Sequence, residues 1–194
     1  MGAVAVTIAG RTSLAGAEVE LLLLAGGQRW CAAMHLESGA LVGARWEEPV
    51  SGLAPFVVAR ARVAGDQSDA DPARPEEVAL DAPPRPVGSA NRRRAERLLR
   101  NVLHPTGEHL LGVAGPSVPY WTLDGSRPSI AVVAPSPPPE VSGGQCRFRW
   151  RNLHHALPVL PQALECRPAH PRRLLITLSA PRQGYCYKIV AALL

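Results

Sequence analysis

Long apolar runs are missing from this sequence of 194 residues. A membrane-spanning helix needs about 20 consecutive apolar residues. The longest candidate here, residues 19–25, is interrupted by Glu20 and has the length of a buried strand. The first residues also lack the basic region that begins a signal peptide. We therefore expect a cytoplasmic protein that does not insert into a membrane.

Cysteine is sparse, and its four copies include no C-x-x-C pair. Four cysteines in a chain of this length are too few for the disulfide framework of a small secreted domain. Cys146, Cys166 and Cys186 are each 20 residues apart, a spacing that matches no zinc-binding pattern. We expect these cysteines to be small apolar side chains on strands, with no metal and no cofactor. The alternative is a metal site that includes His154 or His170.

The motifs of the common enzyme classes are absent as well. The sequence contains no G-x-S-x-G, no Walker A, no G-x-G-x-x-G and no H-E-x-x-H pattern. Ser117 and Ser129 lie beside prolines, and no partner for either hydroxyl can be identified from the sequence. We predict no catalytic residue. A small hydrolase-like enzyme stays as the second alternative, and it would need a pocket that joins His154 or His155 to a carboxylate.

Lysine is nearly absent, because 20 of the 21 basic residues are arginine and only Lys188 is lysine. A GC-rich genome would explain the preference for arginine, but it would not explain where the charges lie. Residues 1–88 contain seven basic and eleven acidic side chains, whereas residues 89–194 contain fourteen basic and five acidic ones. This separation predicts that the second half of the chain contacts an anion.

What the chain does contain is a series of short apolar stretches with the alternation of β-strands. In the first region, 1–63, we predict strands at 3–9, 18–24, 29–36, 40–46 and 56–63. Residues 64–88 are acidic and rich in proline and predict a loop or linker. The basic region 106–194 predicts strands at 109–113, 118–123, 129–133, 146–150, 174–178 and 185–190, with a hairpin turn at Asp124-Gly125.

One segment has a clear helical period, and it predicts a helix over 89–104. Its apolar residues recur at helical spacing and form one stripe, composed of Ala95, Leu98, Leu99, Val102 and Leu103. Ser89 is the expected N-cap, and Pro105 would end the helix. We therefore predict an α+β fold, mostly antiparallel β as small sheets or a barrel-like structure, with one central amphipathic helix. The regions would pack as separate units or as one compact domain.

The predicted function rests on the arginines and on aromatic side chains near them. The expected anion-binding residues are Arg92, Arg93, Arg94, Arg97 and Arg100 of the helix, Arg147, Arg149 and Arg151 of one strand, and Tyr120, Trp121 and Tyr187. Guanidinium groups contact phosphate, and exposed rings stack on bases. We predict a non-enzymatic module that binds nucleic acid or another polyanion. The first alternative is a protein-interaction or scaffold subunit with an acidic partner.

Overall fold

The computed structural model describes residues 14–51, 53–68, 71–105 and 109–194. The strand predicted at 3–9 lies outside the described residues. The strands, in chain order, are β1 (Glu18–Gly26), β2 (Trp30–His35), β3 (Leu41–Arg45), β4 (Val57–Arg62), β5 (Glu77–Ala79), β6 (Arg85–Ser89), β7 (Ser117–Pro119), β8 (Ile130–Val133), β9 (Glu140–Ser142), β10 (Gln145–Trp150), β11 (Leu153–Pro158), β12 (Leu174–Leu178) and β13 (Tyr185–Leu193). The helices are α1 (Arg92–Arg100), α2 (Pro161–Glu165) and the 3₁₀ turns η1 (Leu110–Gly112) and η2 (Tyr120–Thr122).

The described strands form three sheets, in which every pairing except β3 with β5 is antiparallel. Their orders are β5-β3-β2-β1-β4-β6, β7-β13-β12-β8 and β11-β10-β9. The predicted, mostly antiparallel β architecture is therefore confirmed. None of the helices in these ranges is long and apolar enough to cross a membrane.

The six-stranded sheet curls around its own apolar interior. A bridge between Val63 and Leu80 joins the end of β4 to the end of β5, at the other side of the sheet. Alternate residues of β1 to β5 point into the curl, among them Leu21, Cys31 and Val42. The opposite face of the same strands is also buried, which requires a second layer against it.

The second layer is the four-stranded sheet, and the three-stranded sheet packs on its far side. Cys146, Phe148 and Trp150 of β10 and Leu174 and Ile176 of β12 belong to one core between these two sheets. A separate core lies between the four-stranded sheet and the curled sheet. Ala95 and Leu99 of α1 are buried in that separate core, so the helix closes one side of the seam.

The helix is shorter than the sequence predicts. It spans Arg92–Arg100 rather than 89–104, and Ser89 belongs to β6. The prediction of Ser89 as the N-cap was wrong, because the side chain of Asn91 accepts a hydrogen bond from the backbone N–H of Arg94 at 2.9 Å. Val102 stays buried, but it lies beyond the helix, near the point where His104 N–H bonds to the carbonyl of Val132.

Long-range strand pairing also replaces several local predictions. Strand β5 and all of β6 except Ser89 lie in the segment 64–88, which was predicted as a loop or linker. Residues 110–112 form η1 instead of a strand. Asp124-Gly125 does not join a hairpin, because β7 pairs with β13 and β8 pairs with β12.

Candidate functional site

Helix α1 carries five arginines and a single carboxylate, that of Glu96. All five arginines of this helix are exposed. Arg92 donates to Glu96 at 3.0 Å, one turn along the helix. Glu96 is the sole acidic residue between Asp81 and Glu108 in the sequence. The helix surface is therefore strongly cationic.

The basic loop 167–173 lies beside this helix. The backbone N–H groups of Arg172 and Arg173 both donate to the carbonyl of Leu194, at 2.8 and 2.9 Å, which fixes the end of the loop. The hydrogen bond from Arg92 lowers the pKa of Glu96, and the charges of Arg173 and Arg172 lower it further. Partial burial lowers the pKa of Arg173, and the charges of Arg100 and Arg172 act in the same direction.

The interactions of Glu96 and Arg100 with Arg172 and Arg173 place the loop beside the helix. We call the exposed arginines of α1 together with these two loop residues the arginine surface, composed of Arg92, Arg93, Arg94, Arg97, Arg100, Arg172 and Arg173. No acidic residue follows Glu165 in the sequence, so the loop brings only positive charge to this surface. The sequence identified 167–173 as basic, but it gave no sign that the loop packs beside α1.

The arginines of β10 form a second exposed face. Residues of this strand alternate as predicted, with Arg147 and Arg149 exposed and Phe148 buried between them. Arg149 donates to the side chain of Asn152 at 2.9 Å. Arg151 begins the turn into β11 with a φ of 52°, and its guanidinium lies 5.5 Å from the centre of the Trp150 ring.

A chain of contacts links the end of α1 to this hairpin. Four residues after the helix, His104 places its ring edge-on against Trp150, with ring centres 5.4 Å apart. Trp150 in turn carries Arg151 over its ring. The tip of the β10–β11 hairpin is therefore anchored on the segment that leaves α1.

Three exposed rings form an aromatic patch, composed of Trp121, Tyr185 and Tyr187. Trp121 is 68% exposed and meets Tyr185 edge-on at 5.6 Å. Tyr187 lies two residues along β13 on the same face. Gly184 permits this arrangement, because a Cβ there would lie 2.9 Å from the Trp121 ring.

Tyr120 differs from these three rings. It is half-buried and packs against the core between the four-stranded and three-stranded sheets. The charge of Asp71 and a hydrogen bond to its carboxylate, together with desolvation, raise the pKa of Tyr120. Of the predicted aromatic residues, Trp121 and Tyr187 are therefore exposed enough to stack on a ligand, whereas Tyr120 is not.

Burial disfavours the charged forms of one histidine and two cysteines among the described residues. His155 stacks on Phe148 with ring centres 5.0 Å apart, and burial followed by the charge of Lys188 lowers the pKa of its imidazole. Burial also raises the pKa of Cys31 to about 12 and that of Cys146 to about 11, which leaves both thiols protonated. In the described ranges, no group of three or more His, Cys, Asp or Glu side chains could hold a metal ion.

Ser129 has a partner that the sequence did not reveal. Its hydroxyl donates to Glu76 Oε2 at 2.6 Å, and its backbone N–H donates to both carboxylate oxygens at 2.9 and 3.1 Å. Glu76 is buried, so these bonds compensate the cost of its charge. This pair ties the segment before β5 to the start of β8, 53 residues later.

Comparison with other proteins identifies no relative: no family model, no curated protein and no solved structure matches this chain.

Proposed function

We propose that this protein is a non-enzymatic module that binds nucleic acid through the arginine surface. The observation that supports this most directly is the approach of Arg172 and Arg173 of the 167–173 loop to Glu96, the single carboxylate of a helix that carries five exposed arginines. Like charges held this close repel one another unless an anion neutralises them. A phosphate backbone supplies such anions at regular spacing.

Arginine suits this role because its planar guanidinium donates two parallel hydrogen bonds to a phosphate. Contacts of this kind position the nucleic acid without reading its sequence. We therefore propose binding with little sequence specificity, and with an affinity that decreases steeply as salt is added. The β10 arginines extend the proposed contact, since the hairpin that carries them is anchored near the end of α1 through His104 and Trp150.

A triple variant, Arg97→Ala/Arg100→Ala/Arg172→Ala, tests the location of the surface. The slope of log Kd against log salt concentration should fall by about 2–3 for duplex DNA, because each lost phosphate contact removes about 0.9. The measurement is fluorescence anisotropy of a labelled duplex across a salt series.

The matched control is Arg60→Ala/Arg62→Ala/Arg85→Ala, which removes the same charge from exposed positions of β4 and β6 in the acidic half. This control should keep the slope of the wild type. If the two triple variants lose the same slope, net charge rather than a surface determines binding, and the proposed location is wrong.

The aromatic patch predicts a preference for single strands. Stacking of one base on an aromatic ring contributes about 1–3 kcal/mol by alanine substitution, so Trp121→Ala should weaken binding of single-stranded RNA by about fivefold or more. Duplex binding should change by less than about twofold, because paired bases are not available to stack. Anisotropy on both ligands provides the measurement.

Val87→Ala is the control for this variant, because Val87 is also an exposed apolar side chain and lies on β6. Equal weakening of single-strand and duplex binding by Trp121→Ala would contradict the stacking role.

A protein partner is the second candidate, and the same patch is the observation that favours it. Exposed Trp and Tyr side chains are typical of the energetic centre of protein interfaces. An acidic protein that binds the arginine surface and covers Trp121 would compete with nucleic acid. Competition would then separate this candidate from a module that binds nucleic acid alone.

We propose that α1 is the central bridge between the two halves, since its buried residues share a core with both. We also propose a cytoplasmic protein, which is consistent with four unpaired cysteines.

A further inference from the structure

The seam between the curled sheet and the four-stranded sheet is filled at one end and open at the other. On the filled end, Met34 and Leu41 are cross-strand partners on β2 and β3 and pack in the core with Leu175. Two residues along the same strands, and therefore on the same face, the cross-strand partners are Ala32 and Gly43. These small residues leave space that larger side chains would occupy, and a cleft of about 360 Å³ opens there.

The two walls of this inter-sheet cleft are chemically different. Ile130, Thr177 and Ile189 of the four-stranded sheet provide a largely apolar wall. Gly43 lies opposite, and an added Cβ there would lie 3.4 Å from Ile130 Cδ1, so the two sheets are nearly in contact at this point. The cleft therefore opens beyond Gly43, towards the next cross-strand pair, Trp30 and Arg45.

Arginines outnumber carboxylates among the residues that line the cleft. Arg29, Arg45 and Arg74 belong to the lining, together with one acidic residue, Glu77. Arg45 lies 3.3 Å and Arg74 3.0 Å from the two oxygens of Glu77. The carboxylate of Glu76 accepts a hydrogen bond from Ser129, which itself lines the cleft. One carboxylate is thus shared between two arginines while Arg29 is exposed beside them.

Trp30 forms the aromatic side of the cleft. It is half-buried and is the cross-strand partner of Arg45, which places the indole beside the guanidinium groups. Its position depends on Gly27, since a Cβ there would overlap the indole Nε1. A larger residue at position 27 would therefore displace this ring.

We infer that the inter-sheet cleft binds a small aromatic anion, with its ring against the indole of Trp30 and its carboxylate or phosphate on the guanidinium groups of Arg29 and Arg45. The volume lies at the lower end of the range of small-molecule sites, and clefts at the junction of packed units are where such sites occur. None of the arginines of the arginine surface lines this cleft, so the inference stands or fails independently of nucleic-acid binding.

The test uses three probes of similar shape: 2-naphthoate, 2-naphthyl phosphate and the neutral 2-naphthamide. The readout is the Trp30 indole N–H signal in a ¹H–¹⁵N NMR spectrum, assigned by its loss in Trp30→Phe. At least one of the two anions should shift this signal saturably, and the amide should bind about tenfold more weakly because it lacks the charge-assisted bonds. The stronger of the two anions identifies whether the natural ligand is a carboxylate or a phosphate.

Two substitutions move the affinity in opposite directions. Arg45→Met should weaken binding of the anion by about tenfold by removing a charged donor. Glu77→Gln should tighten it severalfold, because the anion no longer competes with that carboxylate for Arg45 and Arg74. A loss of folding cannot produce the second result. Arg60→Met, which changes an exposed arginine paired with Glu20 on another face, is the control and should leave binding unchanged.

Three outcomes would overturn the inference. They are a Trp30 signal that neither anion moves, an amide that binds as tightly as the anions, and an Arg45→Met variant that binds like Arg60→Met.

Discussion

Replacing Leu99 with alanine is expected to lower the free energy of unfolding by about 2–5 kcal/mol, the range for truncating a buried leucine. Leu99 is 1% exposed and lies in the core that joins α1 to both large sheets. The cavity left by the missing atoms would border β-strands that cannot collapse into it without shifting their pairing. Chemical denaturation of the variant and the wild type provides the measurement.

Leu98→Ala is the matched control, because the same atoms are removed one position earlier on the helix. Leu98 is only half-buried against that core, so its truncation should cost about 1 kcal/mol or less. Equal losses for both variants, or a Leu99→Ala variant as stable as wild type, would show that α1 does not join the two halves.

Replacing Lys188 with methionine is expected to stabilise the protein near neutral pH. Lys188 is 2% exposed on β13, where its ammonium group donates to the carbonyl of Val113 at 2.5 Å. Burial lowers the pKa of Lys188 from 10.5 to about 8. At neutral pH the folded protein therefore retains a poorly solvated charge, and methionine fills a similar volume without that cost.

The stabilisation by Lys188→Met should depend on pH, because Lys188 titrates at a lower pH in the folded protein than in the unfolded chain. Between about pH 8 and pH 10.5 the unfolded chain keeps the lysine proton while the folded protein loses it, so this lysine makes stability rise with pH in that window. The advantage of Lys188→Met over the wild type should accordingly be largest below pH 8. It should shrink by up to roughly 3 kcal/mol as the pH approaches 10.5.

The stability of Lys188→Met has to be compared with that of the wild type at each pH, because buried cysteines make stability fall as the pH rises. The pKa of Cys31 is raised to about 12, so its contribution to stability is lost as the pH rises above 9.0. This effect is common to the variant and the wild type and cancels in their difference. A difference that is independent of pH would contradict the assignment of a buried, titrating lysine.

His155 offers a second readout for the same substitution. The charge of Lys188 contributes to lowering the pKa of this imidazole, after the larger effect of burial. Removing the lysine should therefore raise the pKa of His155, which NMR titration of its ring protons would detect.

Local sequence patterns predicted a strand correctly where its pairing partners are close to it in the chain. The alternation of Cys146, Phe148 and Trp150 with arginines predicted both faces of β10, and Gly26-Gly27 predicted the hairpin of β1 and β2. In both cases the hydrophobic period and the turn residues act within a few positions.

The sequence was insufficient where the pairing partner is remote. β5 is only three residues long and lies in a proline-rich segment, and it becomes a strand because β3 accepts it in parallel. The helix begins at Arg92 because Val57 of β4 pairs with Ser89 and draws that residue into the sheet. Neither partner is visible in a local window.

The candidate sites show the same division. The arginines of α1 and β10 are apparent from composition and period, whereas Arg172 becomes part of the arginine surface only when its loop packs beside the helix. The inter-sheet cleft could not be predicted from the sequence, because Arg29, Arg45 and Arg74 come from three separate segments. Each of them looks like an ordinary surface arginine in the sequence.

Binding of the wild-type protein to labelled duplex DNA, single-stranded DNA and single-stranded RNA, measured by fluorescence anisotropy across a salt series, tests the central claim most directly. If the arginine surface contacts phosphates, log Kd should rise linearly with log salt concentration for at least one of the three ligands. Absence of binding to all three at low salt would contradict the proposed function.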